Sequence, residues 1–238
     1  MEWKVMTFNI QHGLDYLTGA RIDLGQIADV IRAEAPDVIL LNEVRGDGEA
    51  ADYTDQTGTL AKLLGWNAYF GKAFDVPHGG PYGNAILSPH PFTAYTLPVP
   101  PVEKEKQERF YEPRCVIRAE FRTEAGVFAV FGSHFGLTAP EKENAVAAVC
   151  GMTDMETEPF VFMGDLNMTP DDPILAPIFE RLHDSAELFE CPKRSHPSDA
   201  PKIKIDYIFA SDRVKVLAAD IPAITVSDHR PHTARISF

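Results

Sequence analysis

Short apolar runs that stop abruptly at a polar residue punctuate this chain. Val38-Ile39-Leu40-Leu41 runs straight into Asn42 and Glu43, and Phe160-Val161-Phe162-Met163 breaks at Gly164 before Asp165, Leu166 and Asn167. Runs of this length, bounded by turn residues, read as short buried strands. In an extended chain residues i and i+2 point to the same side, so Asp165 and Asn167 can share one small polar site at a strand's mouth. Gly, Asp and Asn are also turn formers, and this stretch taken alone reads first as a turn. The two readings separate on whether other strands end in the same way.

Along the chain, apolar runs alternate with helical spacing. Residues 5–10 read as a first strand. Asp23 caps a helix reaching Ala35, with Leu24, Ile27, Val30 and Ile31 on one face and Pro36 ending it. Residues 38–41 form the second strand, and a helix over 59–64 closes at Gly65. Strands follow at 67–70 and 85–87, then a polar loop, proline-rich at its start, over 98–112. Residues 114–121 and 127–131 read as a hairpin about Ala125-Gly126. Helices are expected over 141–155 and 174–182, and strands over 160–163, 205–209, 214–217 and 232–236. No repeat, low-complexity tract or linker interrupts the series, so residues 1–238 read as one domain. Strands outnumber helices, and hairpins mix with helical crossovers, which predicts α/β layers built on mixed sheet.

Composition narrows the function. With 45% hydrophobic and 24% charged residues the chain is that of an ordinary globular protein. Its first residues read as a strand rather than a signal peptide, and no stretch approaches the roughly 20 apolar residues of a membrane span, giving the expectation of a cytoplasmic protein. Cys115, Cys150 and Cys191 are far apart and form no CxxC pair, which argues against a zinc cluster or a disulfide framework; the first two read as buried thiols. A net charge of −13 opposes binding to a polyanion, which relies on lysines and arginines at the phosphates. The basic exceptions are Lys104, Lys106 and Arg109, and then Lys193, Arg194, Lys202 and Lys204. No feature points to a protein partner.

The polar strand ending recurs. The first strand delivers Asn9, the second Glu43, and the hairpin's return strand His134; Asp206 sits inside Ile205-Asp206-Tyr207-Ile208, and the last element opens with Ser227-Asp228-His229-Arg230-Pro231. A charge flanked by Ile205 and Ile208 is costly to bury without a partner. So many coincidences at strand ends favour a shared functional site over independent turns.

In order, Thr7-Phe8-Asn9, Leu41-Asn42-Glu43-Val44, Tyr82-Gly83-Asn84-Ala85-Ile86-Leu87-Ser88, Pro113-Arg114, Ser133-His134, Gly164-Asp165-Leu166-Asn167, Ile205-Asp206-Tyr207-Ile208-Phe209 and Ser227-Asp228-His229-Arg230-Pro231 resemble the motifs of the endonuclease/exonuclease/phosphatase (DNase I-like) superfamily across nearly the whole chain. The resemblance implies a four-layer α/β sandwich, two mixed β-sheets packed face to face with helices outside, and a site at one rim where strand ends from both sheets meet. It also implies metal-assisted hydrolysis of a phosphate ester. A hard cation, Mg²⁺ with Mn²⁺ as the alternative, takes oxygen ligands and keeps several waters. Glu43 is its expected ligand, with Asp228 and Asn9 at or near it. His229 paired with Asp206 is the expected catalytic dyad. Asp165 and His229 are assigned jointly to proton transfer, Asn167 to the phosphoryl oxygens, and His134 to the phosphate or the leaving group. Arg114 and Asn84 are expected to bind substrate or support His134. One departure is Asn42, where the family's usual motif reads Leu-Gln-Glu. His12 has no partner in the sequence and reads as an exposed loop residue.

For the substrate, the charge balance favours a small phosphodiester or phosphomonoester, such as a lipid head group, sugar phosphate or nucleotide derivative. A nuclease is the alternative, and a non-catalytic binding scaffold the reading from another class; retention of Glu43, Asp165, Asp206 and His229 speaks against the scaffold. The loop over 74–82 is expected to shape the pocket mouth, and the loop over 193–197 to hold a further phosphate or acidic group.

Overall fold

A computed structural model describes residues 1–103, 110–189 and 192–238; Lys104, Lys106, Arg109 and Cys191 lie outside the described residues. Local chemistry starts and stops the helices. The Asp23 carboxylate accepts from the N–H groups of Gly25 (3.0 Å) and Gln26 (3.3 Å), satisfying donors that the first turn of α1 (Leu24–Glu34) leaves free. Helix α2 (Gln56–Leu64) is capped by Asp55 and ends on Gly65 at φ 72°. In α3 (Ala139–Asp154) the Glu141 carboxylate reaches back to the Thr138 N–H at 3.0 Å, closing a capping box. The helix expected over 174–182 is broken. Pro173 and Pro177 each lack a backbone donor, so the chain makes a 3-10 turn over Pro173–Leu175, one turn of α4 (Ala176–Phe179), and then enters a strand.

The strands are β1 (Glu2–Asn9), β2 (Val38–Arg45), β3 (Asn67–Asp75), β4 (Pro81–Ser88), β5 (Thr93–Pro98), β6 (Cys115–Thr123), β7 (Gly126–His134), β8 (Phe160–Asp165), β9 (His183–Asp184), β10 (Asp206–Ala210), β11 (Lys215–Asp220) and β12 (His232–Ser237). They form two six-stranded sheets, ordered β11-β12-β1-β2-β4-β3 and β5-β6-β7-β8-β10-β9. Each sheet holds one parallel pair joined by a helical crossover, β1–α1–β2 and β7–α3–β8, and is otherwise antiparallel. Strands β5 and β9 were not legible in the sequence. The first alternates exposed with half-buried residues at a sheet edge, and the second is only two residues long.

Alternation along the strands makes three apolar layers. Val5, Val38, Leu40, Ile86, Phe128, Val130, Val161, Met163 and Ile208 face the opposite sheet. Met6, Phe8, Ile39 and Leu41 turn outward onto Ile27 and Ile31 of α1 and Leu60 of α2. Phe131, Phe160, Phe162 and Phe209 turn outward onto Ala145, Val146 and Val149 of α3. The result is a helix–sheet–sheet–helix sandwich. Both faces of the central strands are buried, which is why their sequences read as unbroken apolar runs. Cys115 and Cys150 are free, buried thiols. Among the described residues no helix is long and apolar enough to cross a membrane.

Candidate active site

The inward rows that build the central core do not stay apolar to their ends. Following them with a period of two, Val5 leads to Thr7 and Asn9, Leu40 to Asn42, Ile86 to Asn84, Val130 to His134, Met163 to Asp165 and Ile208 to Asp206. Register brings these ends together. Asn9 lies beside Asn42 in one sheet; in the other, Asp165 lies between His134 on β7 and Asp206 on β10. All are buried, so the rim of the sandwich holds a polar cluster with little water of its own.

Glu43 breaks the alternation, since strict pleating would aim it at the helices. The pairing of β2 with β4 shifts between Leu41 and Val44, and Glu43 adopts φ 60°. This bulge turns its carboxylate to the Asn9 amide nitrogen, 3.1 Å away. Gln11, His12 and Asn167 also have positive φ (45°, 47° and 52°). Backbone strain of this kind collects at functional rims, where surrounding structure holds it in place. Gly164 sits at φ 148°, with no room for a side chain beside the Ser133 carbonyl of the neighbouring strand.

Hydrogen bonds stitch the two sheets through this cluster. The Asn9 amide also donates to Asp165 Oδ2 (3.0 Å), while its own oxygen accepts from the Gln11 N–H (3.1 Å). Asn42 donates to Asn84 Oδ1 (2.8 Å) and to the Ser133 carbonyl (3.1 Å), and accepts from the Asp165 N–H (3.0 Å). The asparagine that departs from the family motif is therefore the brace between the sheets. Asp165 Oδ1 accepts from the Asn167 N–H at 2.9 Å. The loop over 227–231 is fixed by Ser227 Oγ, which donates to the Asn9 carbonyl (2.8 Å), and it delivers Asp228 and His229.

The electrostatics follow from this packing. His229 Nδ1 lies 2.8 Å from Asp206 Oδ2, and its Nε2 faces Asp165 Oδ2 at 3.6 Å. Burial opposes charge on His229, but the carboxylates of Asp206 and Asp165 outweigh it and lift the imidazole to about 10. Burial, reinforced by the charge of Asp206, raises Asp165 to about 7 against the opposing pull of His229. The other oxygen of Asp206, Oδ1, is buried and has no hydrogen-bond partner among the described residues. His134 is held well below its ordinary value by burial and then by the positive charges of Arg114 and His229. Arg114 Nη1 donates to His134 Nδ1 at 3.2 Å, which places the ring proton on Nε2, toward Asp165 Oδ2 (3.5 Å); the Asn167 amide nitrogen, 3.1 Å from Nε2, donates instead to the Phe135 carbonyl (3.1 Å). Arg114 is itself held by Glu112 at 2.8 Å. Asn84 contacts Asn42 and the Cys115 thiol rather than His134.

The hard-cation candidates are Glu43 and Asp228. Burial raises the Glu43 carboxyl despite its hydrogen bond from Asn9, and the like charge of Asp228 adds to the rise. Two carboxylates pressing on each other at a rim form an oxygen-donor set that fits a divalent cation, which would relieve that repulsion. Asn9 turns its donor nitrogen, not its oxygen, toward Glu43 and Asp165.

Three features were missed in the sequence. Asn42 was recognisable only by counting inward positions from Leu40. Tyr82 opens one of the quoted motifs but was given no role, yet it lies close enough for the Glu43 charge, after burial, to hold its phenol up. His196 approaches His229 with ring centroids 4.7 Å apart, and nothing in the sequence couples the two loops. His12 is half-buried rather than exposed. Gln56 Nε2 donates to its carbonyl (2.7 Å), and burial followed by the charge of Arg45 lowers its imidazole to about 4. In the loop over 74–82, β3 runs on to Asp75 and β4 starts at Pro81, so residues 76–80 alone make the connection. A cavity of about 670 Å³ at the far end of the sheets, beside Met1, Asp212 and Phe238, contains none of these residues.

The sequence model of the endonuclease/exonuclease/phosphatase family matches residues 6–229. YbhP of Escherichia coli (strain K12), an uncharacterised protein, is 26% identical, with 98% of this chain and 96% of that protein covered. Exodeoxyribonuclease III of Haemophilus influenzae is 26% identical over 71% of this chain and 59% of its own length. The crystal structure of an endonuclease/exonuclease/phosphatase from Beutenbergia cavernae superposes with a TM-score of 0.81 and 25% identity, covering 100% of this chain and 72% of that one.

Proposed function

The chain belongs to the endonuclease/exonuclease/phosphatase family, whose members hydrolyse phosphoesters, and from that premise we propose that it is a metal-dependent phosphoesterase acting on a small phosphodiester or phosphomonoester. One observation carries this reading: a buried Asp206–His229 pair, 2.8 Å apart, faces Asp165 on the same rim as the Asn9–Glu43 pair. Burying charges is costly, and an arrangement that concentrates them at one edge is expected where a charged reactant is handled.

In this reading Glu43 and Asp228 hold the divalent cation, Mg²⁺ or Mn²⁺, and Asn9 orients Glu43. When bound, the cation neutralises charge building on the phosphate and on its leaving oxygen. Asp206 holds His229 in one orientation with Nε2 toward the reaction space. His229 and Asp165 together manage the proton of the attacking water, which needs a base within hydrogen-bond reach. Asn167, with its backbone tied to Asp165, offers its carboxamide to the phosphoryl oxygens. Arg114 brings positive charge to the same phosphate and fixes the tautomer of His134. His134 in turn presents an N–H toward the leaving side.

Charge supports a small substrate, by class a lipid head group, sugar phosphate or nucleotide derivative. The surface as a whole repels polyanions, which favours a compact anion over a nucleic-acid duplex. The nuclease reading draws on the match to exodeoxyribonuclease III. The test is hydrolysis of bis-p-nitrophenyl phosphate and p-nitrophenyl phosphate with Mg²⁺, Mn²⁺ or EDTA, with Asp165→Asn as control. Metal-dependent turnover lost in Asp165→Asn is expected, and the preferred ester separates diesterase from monoesterase. Turnover of neither ester with either metal, together with failure to bind Mg²⁺ in calorimetry, overturns the reading.

A further inference from the structure

His196 lies outside the machinery just described, yet its loop is bonded along its length to the loop that carries Asp228 and His229. Ser198 N–H donates to the Asp228 carbonyl at 2.7 Å, and Ser198 Oγ to the Ser227 carbonyl at 2.5 Å. In return Arg230 N–H donates to the Ser195 carbonyl (2.8 Å) and Arg230 Nε to the Ser198 carbonyl (2.6 Å). The Ser195 hydroxyl accepts from the N–H groups of Ile205 (3.2 Å) and Asp206 (3.4 Å), anchoring the same loop to the strand that orients His229. The side chains are thereby held in a fixed relation. One ligand atom from each of His196, Asp228 and His229 lies within 4.8 Å of the other two. Among the described residues no hydrogen bond joins these three side chains to one another, so the space between them has no internal partner.

We propose that His196, Asp228 and His229 form a second metal site, selective for zinc-class transition metals over Mg²⁺, whose occupation shuts off hydrolysis. Two imidazole nitrogens and one carboxylate oxygen make a ligand set that suits Zn²⁺, with a further position left for water. Mg²⁺ prefers an all-oxygen shell and gains little from imidazole. The required outer partner is present. Asp206 Oδ2 sits 2.8 Å from His229 Nδ1, which orients the ring as metal-bound histidines are usually oriented and leaves Nε2 as the atom that takes the metal, its proton being displaced on binding. His196 and Asp228 are half-buried, giving an ion a path from solvent.

Inhibition follows from shared atoms and rests on the phosphoesterase reading above, whereas binding does not. A transition metal on His229 takes the nitrogen that the proton transfer uses. It also draws Asp228 away from the hard cation.

The test titrates Zn²⁺ into the full chain by calorimetry in saturating Mg²⁺, for the wild type, His196→Ala and His196→Gln, each checked for folding by circular dichroism. One Zn²⁺ per chain is expected in the wild type. Losing one of three ligands weakens binding at least about tenfold in His196→Ala, since even outer-shell losses cost about 10–100-fold. Zn²⁺ is expected to inhibit Mg²⁺-supported hydrolysis of bis-p-nitrophenyl phosphate. The inhibitory concentration rises by the same factor in both variants, whose turnover without Zn²⁺ is retained. Equal Zn²⁺ affinity in wild type and variants overturns the site. Binding through His196 that leaves turnover untouched overturns the switch. If no metal supports turnover at all, the phosphoesterase reading fails, and calorimetry still decides the site.

Discussion

Gly164 sits between the strand that builds the core and the carboxylate that serves the site, and Gly164→Ala separates the two ways a side chain can be refused. Its φ of 148° lies where only glycine is comfortable, a strain of about 1–3 kcal/mol for another residue. An added Cβ would also stand 1.9 Å from the Ser133 carbonyl oxygen, which is backbone and cannot rotate away. Relief requires β7 and β8 to part, at an overpacking cost of about 1–3 kcal/mol. Together the loss should be about 4 kcal/mol, a large share of the roughly 5–15 kcal/mol that stabilises a domain. Two other glycines isolate the contributions. Gly126 has φ 120° with nothing within 4 Å, so Gly126→Ala should cost only the conformational part, about 1–2 kcal/mol. Gly151 lies on exposed helix surface with open space around it, and Gly151→Ala should stabilise by about 0.5–1 kcal/mol. Urea unfolding of all three against wild type, read as changes in midpoint at constant slope, gives the order directly. His134 and Asp165 are register partners across that strand pair, so turnover should fall with Gly164→Ala and survive the other two. A Gly164→Ala loss no larger than that of Gly126→Ala would refute the overlap argument.

Other expectations concern the buried polar groups. Asn42→Ala strands the Asp165 N–H and the Asn84 carboxamide oxygen, and should destabilise by about 3 kcal/mol, at about 1–3 kcal/mol per orphaned group, in the same urea assay. Asp206→Asn removes the charge that holds His229; a drop in turnover of about 10²–10⁴-fold with little change in Mg²⁺ affinity is expected from steady-state kinetics and calorimetry. His232 is fully buried between Ser185 and the Asp206 carbonyl, and burial, then the charge of Lys204, lowers it to about 4. The unfolded chain therefore takes up this proton first as pH falls. The contribution is intact above about pH 6.5 and is lost progressively toward pH 4, amounting to about 3 kcal/mol. In His232→Gln the fall in unfolding free energy over that window should be shallower by this amount; an unchanged slope would exclude His232 as its source.

Much of the sandwich was legible because its strands are buried on both faces and its helices are capped locally. Phe160 to Met163 has to be strand, and Asp23 and Gly65 mark helix ends with their own side chain or backbone freedom, whereas the Asp55 cap, which starts α2 three residues ahead of the expected 59, was missed. The helix over 174–182 was drawn too long and too regular: its apolar spacing is helical, but with Pro173 just before it and Pro177 inside it the backbone makes a 3-10 turn and one helical turn that ends at Phe179. Strand β5 was invisible for the opposite reason: it is held by pairing with β6, not by burial of its own side chains.

For the site, the chain itself determined which residues are available and that they lie at strand ends, since alternation carries Asn9, Asp165 and Asp206 onto the inward face. Tertiary structure alone decided that those ends meet. Asp165 and Asp206 share a rim only because β8 and β10 pair in one register, and Glu43 reaches Asn9 only through a bulge whose cause lies in the pairing with β4. The brace at Asn42, the half-buried His12 and the approach of His196 to His229 were likewise decided by packing. Periodicity reports which face a residue takes; which neighbour it finds there is set by contacts between segments far apart in the chain.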